Sequence, residues 1–314
     1  MSGIISLGEA LIDFIPLDKN NETYQKSPGG APANVAVAVA KLGAKSTFLG
    51  KVGDDVLGRF MQSTLRNHGV NVDHMLFTKE ARTGVVFVTL DEQGERTFSF
   101  YIDPSADRFL NENEVDEELF KEHRILHIGS ISMISEPSRS ATKTAVRLAK
   151  RHSMMVSYDP NLRLGLWKSE EQAREEIMSM LAEADIVKIS DEELQFITGE
   201  QELMKGIQAL KMYDIPLLLV TYGGEGSYFH WNNETTHVPA MKVKTVDTTG
   251  AGDAFVSGLL YQLNEKRESF KSLTSQDIYK MVEFASVSGA LAASTRGAMT
   301  ALPTLEEVKQ IVKG

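Results

Sequence analysis

Cysteine is missing from all 314 residues, which excludes disulfides and thiolate zinc sites and fits a reducing compartment. No block of five Lys or Arg occurs and the formal net charge is −10, so nucleic acid and anionic membrane are not expected partners. Long apolar runs are missing too: none approaches the roughly 20 residues that span a bilayer. The opening stretch MSGIISLGEALIDFIPLD has no basic start and carries Glu9 and Asp13 inside its apolar part. It reads as neither signal peptide nor anchor, and cytoplasm is the expected location. What is present, 42% apolar and 24% charged residues, is the composition of a folded globular protein, which sets disorder aside. An acidic chain can still hold a phosphate where backbone N–H groups, a helix N-terminus, a metal or a local Arg sets the field. Nucleotides therefore stay open as ligands.

Short apolar runs alternate with helical ones. Ile4 to Leu7, Ser46 to Leu49, Ile125 to Ile128, Met155 to Asp159, Ile186 to Ile189 and Leu217 to Thr221 read as buried strands. Helices are expected at Ala33 to Leu42, Val56 to His68, Arg139 to Arg151, Glu170 to Ala182 and Leu203 to Met212. That order predicts an α/β fold, a doubly wound, mostly parallel sheet flanked by helices. One region departs from it. Thr83 to Leu90 and Arg96 to Ile102, either side of DEQGE, read as a β-hairpin. With Phe14 to Leu17 and Tyr24 to Lys26 it predicts a small protruding sheet, built from about residues 13–27 and 83–103 of a single 1–314 domain. Edge hairpins on the main sheet are the alternative. Toward the C-terminus, Ser227 to His230, Thr235 to Val238 and Lys242 to Val246 read as antiparallel strands, with helices from Gly252, Ser275 and Thr304.

The stretch TVDTTGAGDAF, Thr245 to Phe255, lies between strand-like and helix-like segments and uses more glycine than a turn requires. Gly250 and Gly252 remove Cβ atoms, so consecutive N–H groups can face one point at a helix start, a point that attracts an anion. Asp253 then places a carboxylate where an anion would sit. Either it stabilises the helix dipole from the first turn, or it is a general base beside an anion hole, taking a hydroxyl proton while the N–H groups hold a transferring phosphoryl group. Position alone does not choose. Asn34 is likewise open, since it could cap the helix that follows it.

VDTTGAGDAFVSGLL and GGAPANVAVAVAKLGAKSTFLGKVGDDVLG, Gly29 to Gly58, resemble the two signatures of the ribokinase-like (PfkB) sugar kinases. The GGAPANVA form, DPNLR at Asp159 to Arg163, KISDEE from Lys188 to Glu193, and GAMTALPT are most similar to the fructokinase branch. The resemblance covers essentially the whole chain and implies an ATP-dependent sugar kinase, with fructose as the first expectation. Another small sugar, sugar acid or nucleoside is the alternative within the class. A silent sugar- or nucleotide-binding regulator is the alternative outside it.

Carried over by position, the resemblance implies Asp253 as catalytic base, Gly250, Ala251 and Gly252 as anion hole, and Arg163 near substrate and phosphates. Asp13, Gly29, Gly30 and Asn34 would bind the sugar, with Phe98 or Phe100 of the hairpin as an apolar wall under a closing lid. Lys188, Thr221, Gly223, Gly226, Thr248 and Gly297 would serve ATP. Glu193 would order Mg²⁺ through water, and the carbonyls of Asp247 and Thr249 are candidate ligands for K⁺. A homodimer joined through the lid is a candidate assembly. The chain departs from the wider family at Ser190 and Ser286, where relatives often carry Asn, and at Ile102 and Asp103, where they often carry Arg and Asn.

Overall fold

The computed structural model describes residues 2–91, 96–101, 104–266 and 268–312. In chain order its strands are β1 Ile4–Leu7, β2 Leu11–Pro16, β3 Tyr24–Gly29, β4 Ser46–Gly53, β5 Met75–Thr78, β6 Val85–Leu90 and β7 Arg96–Tyr101. They continue with β8 Ile125–Ile128, β9 Met155–Tyr158, β10 Ile186–Ser190, β11 Leu217–Thr221, β12 Ser227–Trp231 and β13 Glu234–Val238. Among the described residues nine of these form one sheet in the order β13-β12-β11-β10-β9-β8-β1-β4-β5, parallel from β11 to β5 and antiparallel at β12 and β13.

Its strands are short apolar runs because helices cover both faces, and alternate residues then enter opposite cores. Ile5, Leu126, Val156, Val187 and Leu218 pack into one core, which also contains Ala145 and Ile177 from helices Ser138–Arg151 and Glu170–Leu181. Their neighbours Ile4, Ile125, Met155, Ile186 and Leu217 pack into the other, with Val35, Leu260 and Val282 from helices Ala31–Lys41, Ala251–Glu265 and Ser275–Ala293.

β3, β2, β6 and β7 form a separate four-stranded sheet in that order, which removes the edge-hairpin alternative. Side chains alternate between its two faces. Asp13, Val86, Val88 and Phe100 face inward, whereas Phe14, Phe87 and Tyr101 join in an aromatic row on the other face, with Phe14 and Phe87 stacked at 4.9 Å and Phe87 and Tyr101 edge-on at 5.5 Å. The DEQGE turn beyond Asp91, together with Ile102 and Asp103, lies outside the described residues.

Four segments differ from the sequence reading. β2 begins at Leu11, so Asp13 is a strand residue. Lys242 to Val246 is not a strand: the N–H groups of Val246 and Asp247 donate at 2.8 and 3.1 Å to the carbonyl of Ala293, the last residue of helix Ser275–Ala293, rather than to a ladder beside β13. β5 was not anticipated, and neither was the helix Asp191–Thr198, each too short for its periodicity to stand out.

Candidate active site

Strands β1, β4 and β5 run outward on one side and β8 to β11 on the other, so the order reverses between β1 and β8. Ligands of open parallel sheets bind outside the carboxyl ends of the strands near such a reversal. Glu9 follows β1 there, Asp159 follows β9, and Ser190 ends β10. A cavity of about 400 Å³ opens at this edge. It brings together Asp13, Gly30, Asn34, Phe98, Phe100, Arg163, Lys188, Thr248, Gly250, Gly252 and Asp253 from segments far apart in the chain. A second cavity of about 260 Å³ is lined by Thr221, Gly223, Gly226, Thr248, Ala251, Gly252, Phe255 and Ser286. Thr248 and Gly252 belong to both.

The GAGD turn connects them. Gly250 caps helix Ala251–Glu265 at φ 79°, a left-handed conformation that glycine adopts without cost, and its Cα faces Ala298 closely. The Ala251 N–H donates to the Thr248 carbonyl at 3.2 Å. The next amides lie in the first turn, where no intrahelical acceptor exists. Asp253 is third in that helix and turns its carboxylate toward Asn34, whose Nδ2 donates to Oδ2 at 2.8 Å. Asn34 therefore does not cap. Its helix begins at Ala31, with Gly30 as cap. Burial first, with Asp159 adding to it, pushes the Asp253 carboxyl up to about 6 against the opposing Asn34 hydrogen bond, Lys188 and Arg163. Asp13 is also pushed up to about 6, first by burial, then by Asp253, against the pull of Arg163.

Several expected residues act from behind the cavity walls. A Cβ at Gly29 would collide with the Asp13 carboxylate, so glycine there leaves that carboxylate its place. Asp247 accepts from the Thr249 N–H and hydroxyl at 3.0 and 2.7 Å and from the Gly297 N–H at 3.1 Å, tying the GAGD turn to the segment before Met299. Glu193 is buried, not a surface charge: its carboxylate accepts from Ser190 N–H at 2.8 Å and Leu162 N–H at 2.7 Å. It thereby closes a capping box and holds the DPNLR loop, with Arg163 exposed at its tip. A further groove of about 380 Å³ contains Arg163, Lys188, Ser190 and Glu193.

Lys188, half-buried, pairs with the buried Asp159 at 3.1 Å, and its Nζ lies 3.4 Å from where a Cβ on Gly252 would stand. Burial would lower its pKa, but Asp159, Glu193 and Asp253 hold it above the ordinary lysine value, so it is a charged ammonium at the turn. Asp159 and Glu9 line the large cavity as well, and neither was singled out from the sequence. Their position just after parallel strands was the available signal. Asp159 Oδ1 and Asn34 Oδ1 are buried without a hydrogen-bond partner among the described residues, as groups awaiting a ligand would be.

Among the described residues no three His, Asp or Glu side chains converge into a metal cage, and no helix is long and apolar enough to cross a membrane. The unsatisfied Asp159 oxygen and the buried Glu193 carboxylate suit a hard cation that keeps water and phosphate as its other ligands, the habit of Mg²⁺.

The model of the pfkB family carbohydrate kinases matches residues 1–305. The chain belongs to that family. A pfkB relative, probable fructokinase-6, chloroplastic, of Arabidopsis thaliana, is 45% identical over 314 residues, covering 98% of this chain and 81% of its own. The crystal structure of fructokinase from Vibrio cholerae O395 in its fructose-, ADP- and calcium-bound form superposes with a TM-score of 0.91 at 42% identity, over 99% of both chains. Fructokinase from Xylella fastidiosa with bound ATP gives 0.93 at 34% identity, over 99% of this chain and 98% of that one. The fold is thus ribokinase-like and the activity that of a carbohydrate kinase.

Proposed function

We propose that this pfkB kinase phosphorylates the 6-hydroxyl of D-fructose from ATP, with Asp253 as general base. The observation that carries the reading is the meeting of the two cavities at Thr248 and Gly252, with Asp253 on the wall of the larger one. Fructose is assigned to the larger cavity and ATP to the smaller, whose lining has no charged side chain and suits a purine, while Thr221, Gly223 and Gly226 border the base and ribose.

With a carboxyl at about 6, Asp253 is mostly ionised at neutral pH and accepts the proton as the O6–Pγ bond forms and the bond from Pγ to the leaving ADP oxygen breaks. The Gly250–Gly252 turn presents backbone N–H groups to the phosphoryl oxygens, and Lys188 and Arg163 add positive charge. Asp13, Asn34 and the backbone at Gly30 hold sugar hydroxyls; the unpartnered Asn34 Oδ1 supports that role. Mg²⁺, which Asp159 and Glu193 would hold through water, neutralises phosphate charge. Asp247 and Thr249 carbonyls are proposed to face K⁺ beside the same turn. The small sheet acts as a lid that excludes water, with Phe98, 48% exposed, and Phe100 as its apolar underside. Its outward row of Phe14, Phe87 and Tyr101 supports a homodimer joined through this sheet.

A neutral polyol satisfies such a site, whereas a sugar acid would bring a carboxylate toward Asp13. A site built to bind hydroxyls also leaves polar groups unpaired when they are missing. Fructose is therefore expected to exceed 2-keto-3-deoxygluconate, ribose and adenosine by roughly tenfold or more in kcat/KM. An ADP-release assay over all four acceptors tests this, and an equal or faster rate with any of the other three removes fructose as the substrate.

A further inference from the structure

Glu9 lies between β1 and β2, where the chain crosses from the large sheet to the small one. It is 2% exposed, yet it borders the sugar cavity. Nothing in the base, anion-hole or sugar roles above uses it. Its Oε1 accepts the N–H of Ala31 at 3.1 Å. Ala31 opens the helix that carries Asn34, and that helix has neither a side-chain cap at Gly30 nor an acid in its first turn. Helix starts usually obtain such an acceptor from their own cap residue; here it comes from a different strand connection. One turn further on, the Asn34 N–H donates to the Gly30 carbonyl at 2.8 Å, and the Asn34 amide donates to Asp253 at 2.8 Å.

We propose that Glu9 is a positioning residue for phosphoryl transfer: it anchors the start of the Ala31–Lys41 helix so that the Asn34 amide is aimed at Asp253. The inference rests on Asp253 being the base. Because the helix is rigid over one turn, a shift of Ala31 is delivered to Asn34, and misplacement of a group oriented on a reacting residue by about 1 Å can cost ~10²-fold in rate. The carboxyl that does this stays mostly protonated at pH 7. Burial pushes it up to about 8, against the hydrogen bonds from backbone N–H groups, and the facing carboxyls of Asp107 and Asp253 raise it as well. A neutral Glu9 supplies the acceptor without setting a second negative charge beside the base. Glutamine is then its equal in both shape and charge.

The test uses the full chain with Glu9→Gln, Glu9→Met and Asn34→Ala, measuring ADP release with fructose from pH 5 to 9 and thermal unfolding alongside. Methionine fills the space without an acceptor. Near pH 6 it also changes no charge, because Glu9 is already protonated there. The acid limb of kcat/KM reports Asp253 together with the groups that face it: Asn34, Asp159, Lys188, Arg163, Asp13 and Glu9. E9M should lose about 10- to 100-fold in kcat, keep its fructose KM within about threefold, and move the acid limb to higher pH, because the hydrogen bond favouring ionised Asp253 is weakened. N34A should move the limb in the same direction, and the double variant should fall little beyond either single one. E9Q should restore kcat and limb together. An E9M enzyme with unchanged kcat and limb overturns the proposal, as does an E9Q enzyme as damaged as E9M, or a loss of rate that only tracks the folded fraction. Asp253→Asn run in parallel separates the two failures. If D253N is active the base assignment falls, and if it is inactive while E9M is not, only the role of Glu9 falls.

Discussion

Replacing Asp253 with Asn keeps the volume of the side chain and an oxygen for the Asn34 amide, which donates to it at 2.8 Å, but removes the proton acceptor. With a carboxyl at about 6, roughly nine-tenths of the wild-type residue is ionised at pH 7, so nearly the full general-base contribution is present to be lost. That contribution is about 10²–10⁴ in kcat, or about 3–5 kcal/mol of transition-state stabilisation. Sugar binding should change little, since the contacts proposed for Asp13, Asn34 and Gly30 are left in place. Stability should move the other way. A carboxyl whose pKa is raised in the folded state favours folding while protonated and loses that advantage as pH rises from its unfolded value near 3.8 toward about 6. D253N lacks this penalty, so its Tm relative to wild type should climb across that window and level off above it. Steady-state ADP release, calorimetric fructose binding and thermal unfolding from pH 4 to 8 measure the three effects. Retention of more than about a tenth of wild-type kcat would refute the base assignment, whatever the Tm does.

The wild-type kcat/KM profile should fall below about pH 6 with a slope approaching two, because Asp253 and Asp13 are both pushed up to about 6 and both act ionised; a single-slope limb centred below about pH 5 contradicts the burial argument. Glu193→Gln should raise the Mg²⁺ concentration at half-maximal rate and leave the fructose KM nearly constant. A magnesium titration superimposing on wild type would reduce Glu193 to the holder of Ser190 and Leu162 that its hydrogen bonds already make it.

The alternation of apolar runs was enough to read β1, β8, β9, β10 and β11, because strands buried on both faces must be short and apolar throughout. The same logic failed at Lys242 to Val246, where Val243 and Thr245 lie along the second cavity and the Val246 amide serves a helix end. Asp13, Arg163 and Lys188 carry no local pattern that marks them as site residues, and only the folded chain brings them to one cavity. Glu9 and Asp159 were given no site role because a single carboxylate after a strand has no pattern of its own.

The sequence by itself determined the parallel sheet, the glycine turn before Asp253 and the membership that its two long signatures carry. These depend on local periodicity and on residues adjacent in the chain. Tertiary structure alone decided that Asn34 meets Asp253 across 219 positions, that Lys188 faces Asp159 and Gly252, and that burial pushes two carboxyls, Asp13 and Asp253, up to about 6. A carboxyl is raised by losing water, and water is excluded only when distant segments close over it; no stretch of chain contains its own solvent exposure.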